Sequence, residues 1–172
     1  MRIPQTRIPQ TRIGLLLAVL LIAGCDMTFG PMYYVSDKSL IYPTNGEQIY
    51  FTGRDKDGRQ VIYQGGNMHA RMHQVSCADC HGLQREGGRR MYPSFWLVAP
   101  SLTSDSLFGE HHDGHNDHMA YTRDSLKQAI TSGIDPSGEE MNSTMPRWIM
   151  SEADMDDLVD YLSEDLLIPS AK

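Results

Sequence analysis

Cysteine is scarce in this chain: three in 172 residues, one at position 25 and a close pair at 77 and 80. So few thiols exclude the disulfide framework that staples many small exported domains, and something else must do that work. Long apolar runs are missing as well. The uncharged, mostly apolar run over 13–24 falls short of the about 20 apolar residues a comfortable membrane-spanning helix needs. Basic residues are outnumbered, 15 against 22 acids, for a formal charge of −7. That balance argues against nucleic acid as a partner and favours proteins with basic patches, steered by a long-range field that salt weakens. An apolar fraction of 40% is ordinary for a globular chain and argues against disorder.

What is present is concentrated in Cys77-Ala78-Asp79-Cys80-His81. Two thiols three residues apart, followed directly by an imidazole, form the attachment signature of a c-type haem. On one helical turn Cys77 and Cys80 face the same porphyrin edge and can form thioethers with its two vinyl groups. The same turn brings His81 under the iron as proximal ligand. A thioredoxin-like redox pair would need a surrounding βαβ pattern, and a structural zinc site a second Cys or His pair; neither is evident. The covalent haem is then the staple that the cysteine count withholds elsewhere.

The amino terminus gives the third cysteine its own role. Arg2, Arg7 and Arg12 lie in an acid-free stretch built on a once-duplicated Arg-Ile-Pro-Gln-Thr, and the apolar run to Gly24 follows. A basic region, a short apolar region and small residues before the cut read as a secretory signal over 1–24. The ending Ile22-Ala23-Gly24-Cys25 resembles the lipobox of bacterial lipoproteins, which makes Cys25 the lipidated residue. Removing the leader also removes three arginines, so the mature chain is more acidic than the whole.

Residues 25–44, with Gly30, Pro31 and Pro43, read as a tether. An amphipathic element begins at Thr44-Asn45-Gly46, with Ile49 and Tyr50 at helical spacing. Asp57-Gly58 and the β-prone Val61-Ile62 suggest a small hairpin or loop. Glycines at 82, 87 and 88 and prolines at 93 and 100 mark an irregular stretch, in which Phe95, Trp96, Leu97 and Val98 are expected to wall the haem pocket. A helix is expected over 122–131, capped by Thr122 and stopped by Gly133. A last one is expected over 151–164, with Met155, Leu158, Val159 and Leu162 on its inner face.

These features together resemble the class I cytochrome c family, in a membrane-anchored bacterial lipoprotein form. The resemblance spans about 45–166 and leaves 167–172 as a tail. It implies an all-α fold wrapped round one covalent haem c, here with a short inserted hairpin or loop over 53–74. The family's first helix carries a glycine and an aromatic that cross the last helix at a leucine and a tyrosine; Gly46, Tyr50, Leu158 and Tyr161 match. Pro100 matches the proline whose carbonyl fixes the proximal histidine. Met145-Pro146 matches the distal methionine, with Met141 and Met150 as alternatives, and Trp148 and Arg147 are candidates to hold a haem propionate. The implied function is electron transfer between periplasmic or membrane redox partners, without catalytic residues of its own. The implied place is the bacterial cell envelope, with Asp26 after the lipidated Cys favouring the inner membrane. The alternatives are a haem enzyme or gas sensor with an open distal site, and a metal-handling protein. The last would use His111, His112, His115 and His118, with His69 and His73 a further pair at i, i+4 spacing.

Overall fold

A computed structural model describes residues 37–109 and 119–164. The signal segment, Cys25 and most of the stretch read as a tether lie outside these residues, as do the 111–118 histidines and the carboxy-terminal tail. Six helices and two short strands appear among the described residues: α1 (Asn45–Thr52), β1 (Ile62–Gln64), α2 (Met68–Met72), α3 (Ala78–His81), α4 (Ser104–Phe108), α5 (Arg123–Ser132), β2 (Arg147–Ile149) and α6 (Glu152–Ser163). None of these helices is long and apolar enough to cross a membrane.

Local chemistry sets the helix ends. Thr44 and Glu47 form a reciprocal capping box at α1, Thr122 and Ser125 another at α5, and Ser151 accepts from the Asp154 N–H at α6. Gly53 and Gly133 end α1 and α5 in the left-handed conformation.

The frame is the crossing of α1 on α6. A Cβ at Gly46 would lie 2.1 Å from the Asp157 carbonyl oxygen and 2.8 Å from Tyr161 Cβ, so only glycine permits this approach. Tyr50 fills the gap beside it, its ring 5.3 Å from that of Tyr161, and Leu158 is buried at the contact. Asn45 ties the crossing by donating to both Asp154 and Asp157. Residues 37–44 lie against the domain: Tyr42 stacks on Phe51, and Lys38 pairs with Asp79 at 3.0 Å.

An all-α fold does not describe the whole molecule. Val61-Ile62 does introduce a strand, and a tight turn bridges Arg54 to Gln60 as the hairpin expectation had it. Strand β1, however, pairs with β2 in antiparallel register, Tyr63 opposite Trp148. Two copies of one device produce this. Gly53-Arg-Asp55-Lys-Asp-Gly58 and Gly133-Ile-Asp135-Pro-Ser-Gly138 each follow a helix, and in each the Asp carboxylate accepts from N–H groups two and four residues on. Each turn then feeds an extended segment, and the two segments meet as β1 and β2.

Candidate haem-binding site

Helix α3 is a single turn, closed by the His81 N–H donating to the Cys77 carbonyl at 2.8 Å. The Asp79 carboxylate accepts from the Ser76 N–H and so caps the turn from within. Cys77 and Cys80, both free thiols, are half-buried on this turn. Burial pushes them up to about 12 and about 11 respectively, with their mutual charge interaction adding at Cys77 and Asp79 adding at both. A redox dithiol works the other way, through a depressed thiol pKa, so these sulfurs are not poised for disulfide exchange. Among the described residues no three His, Cys, Asp or Glu side chains group to hold a metal ion.

His81 is buried, and its Nδ1 lies 2.8 Å from the Pro100 carbonyl. A carbonyl only accepts, so this contact places the ring proton on Nδ1 and leaves the Nε2 lone pair for iron. Burial holds the imidazole below its usual pKa, against the pull of that carbonyl, and keeps it in the neutral ligating form. Tyr50 adds a brace by donating to the Gly82 carbonyl at 2.8 Å. Two vinyl-reactive thiols and one oriented imidazole on a turn braced from both sides are the donor set that covalent haem c requires.

Met145 sits on the loop before β2, partly buried against the same hydrophobic cluster as Cys77. Arg147 donates to the Met145 carbonyl at 2.8 Å and to the Met141 carbonyl at 2.7 Å. Its guanidinium rests over Gly133, where a Cβ would come within 1.9 Å. Its guanidinium fork thus grips the methionine loop, a role the sequence did not suggest. The inserted segment holds the other side of that loop, with Gly66 and Asn67 donating to the Ser143 and Thr144 carbonyls.

Trp148 is buried in β2 with its ring 4.9 Å from Tyr63. Of the expected pocket wall, Leu97 is half-buried by protein atoms alone, while Phe95, Trp96 and Val98 are not covered by them, Trp96 being 77% exposed. The segment turns back on itself between Arg90 and Val98, and it is Met91 and Ala99 that point inward.

One residue escaped the sequence reading. Arg85 is fully buried, in left-handed backbone, and donates to the Tyr161, Leu162 and Glu164 carbonyls at the end of α6. It also lies 4.9 Å over the Tyr161 ring. Four residues after His81, it ties the haem-attachment segment to the last helix. Only its spacing from the motif could have hinted at this, because its hydrogen-bond partners are all main chain.

This assembly of an attachment turn, a carbonyl-fixed histidine and a methionine loop, under a Gly-aromatic helix crossing, defines a c-type haem protein. The chain belongs to the cytochrome c family, whose model matches residues 56–164. It therefore binds haem c covalently and has a haem-based electron-transfer role in the general sense of that family. No curated protein and no solved structure matches it.

Proposed function

We propose that this protein is a monohaem electron carrier and not an enzyme, with His81 and Met145 as the axial ligands. Haem c, when bound, supplies a one-electron Fe(II)/Fe(III) couple, and an axial thioether biases it toward the reduced state. The observation that carries the reading is the grip of Arg147 on the Met145 loop. A carrier needs both axial side chains held through its cycle, whereas an enzyme or sensor needs one position open. Pro100 fixes the proximal ring, Arg147 and the 66–67 backbone fix the distal loop, and Trp148 is the propionate donor nearest to that loop in sequence.

The chain is further proposed to be lipid-anchored at Cys25 and to face the periplasm, on the inner membrane by the sense of Asp26. The signal-like leader and the lipobox support this. Partners are proposed to carry basic patches, which the chain's excess of acids, 22 against 15 basic residues, would attract.

Redox titration of the haem-loaded protein tests the carrier reading. A single one-electron wave, with no turnover of peroxide and no carbon monoxide uptake by the reduced form, is expected. Ready carbon monoxide uptake with peroxide turnover would replace it with the open-site reading.

A further inference from the structure

Arg85 carries a charge that its surroundings do not cancel. A guanidinium in a protein keeps its proton, and this one is fully buried. Its Nη1 and Nη2 donate to the Tyr161, Leu162 and Glu164 carbonyls, and its Nε has no hydrogen-bond partner. Among the described residues no carboxylate pairs with it. Carbonyls at a helix end supply only about half a negative charge, so net positive charge remains in the interior. Burying a cation without a counter-charge costs stability, and a neutral amide could donate to carbonyls without that cost.

The backbone places this charge on the histidine side of the haem site. The Arg85 carbonyl accepts from the Leu102 N–H at 2.8 Å and from the Ser101 hydroxyl at 3.2 Å. Those residues directly follow Pro100, whose carbonyl lies 2.8 Å from His81 Nδ1. Gly87 closes the same loop from its other end. Its N–H donates to the His81 carbonyl, and a Cβ there would lie 2.6 Å from the Pro100 oxygen. Main chain therefore fixes Arg85 to the segment that orients the histidine, while its side chain is fixed to α6. A charge in a low-dielectric interior acts strongly on a neighbouring group that changes charge, and salt screens it little. The group that changes charge here is the haem iron, one unit more positive when oxidised. We propose that Arg85 sets the reduction potential: its buried charge disfavours the ferric state and raises the midpoint from the proximal side. This inference rests on haem c at Cys77, Cys80 and His81 and not on the identity of the distal ligand.

The test is a redox titration of the haem-loaded full chain at low and high ionic strength, in wild type, Arg85→Lys, Arg85→Gln and Arg85→Met. Lys keeps the charge without the planar fork, whereas Gln and Met are neutral. Both neutral variants are expected to have a lower midpoint than wild type, with a shift that persists at high salt. Each tenfold gain of ferric over ferrous reads as a fall of about 59 mV. Arg85→Lys is expected to stay near wild type. A purely structural role would move Lys together with the neutral pair, because all three lose the fork. That result, neutral variants at or above the wild-type midpoint, or a shift abolished by salt would overturn the proposal. So would failure of both neutral variants to load haem, which would assign the charge to folding instead. The far-red band and carbon monoxide uptake of the same wild-type sample report the distal ligand, so a failure of the carrier reading shows there, separately from the midpoint comparison.

Discussion

Arg147→Leu isolates the grip on the methionine loop. The substitution keeps an apolar stem near Gly133 and removes the donors to the Met145 and Met141 carbonyls. Hydrogen bonds from a charged donor contribute about 1.5–3 kcal/mol each, and a half-buried side chain belongs at the low end of that range or below it. Together the pair holds the closed loop by about 2–3 kcal/mol. At 1.4 kcal/mol per factor of ten, its loss raises the open-loop population about 30- to 150-fold. An external ligand that needs the loop open, such as imidazole on the ferric protein, gains apparent affinity by the same factor. The assay is imidazole titration followed in the haem spectrum. Arg147→Lys is expected to recover part of the effect, since an ammonium supplies a point charge without the planar fork. Equal imidazole affinity in wild type and Arg147→Leu would refute the reasoning.

Other outcomes follow from the same packing. Gly46→Ala should destabilise the haem-loaded protein by about 1–2 kcal/mol in denaturant titration, because overpacking against the Asp157 backbone outweighs the helix propensity gained; a stabilised variant would show that the crossing relaxes freely. Arg85→Leu should cost about 3 kcal/mol or more, since three carbonyls at the end of α6 lose their donors; a cost below about 1 kcal/mol would mean that water serves them equally well. The Asp135 carboxyl is held below its usual pKa by the Ser137 hydroxyl and then by N–H groups of its turn. Its folded-state pKa is depressed, so its stabilisation is present above the unfolded value of about 4 and fades as pH falls through the folded value. Asp135→Asn should therefore lower stability at neutral pH and become indistinguishable from wild type in strong acid. A gap that persists there would assign the effect to something other than charge.

Much of the site was legible because its signals are short in sequence. Cys77, Cys80 and His81 lie within one turn, and the caps at Thr122, Gly133 and Ser151 put the ends of α5 and α6 within a residue of the expected bounds. The Gly46–Tyr50 crossing and the Pro100 contact were reached through family resemblance, and the geometry agrees with both. The residues that hold the site together were not legible. Arg85 and Arg147 act on backbone carbonyls, and a carbonyl has no letter in the sequence. The pairing of β1 with β2 joins segments some 80 residues apart, and three-residue strands leave too little alternation to read.

The central claim, that Met145 occupies the distal position of a closed electron carrier, is met most directly by visible spectra of the haem-loaded protein, wild type and Met145→Ala. The wild type should show the weak far-red band of ferric iron bound to methionine sulfur and the variant should lose it, with carbon monoxide taken up by the reduced variant alone. A wild type without that band that binds carbon monoxide as readily as the variant would contradict it.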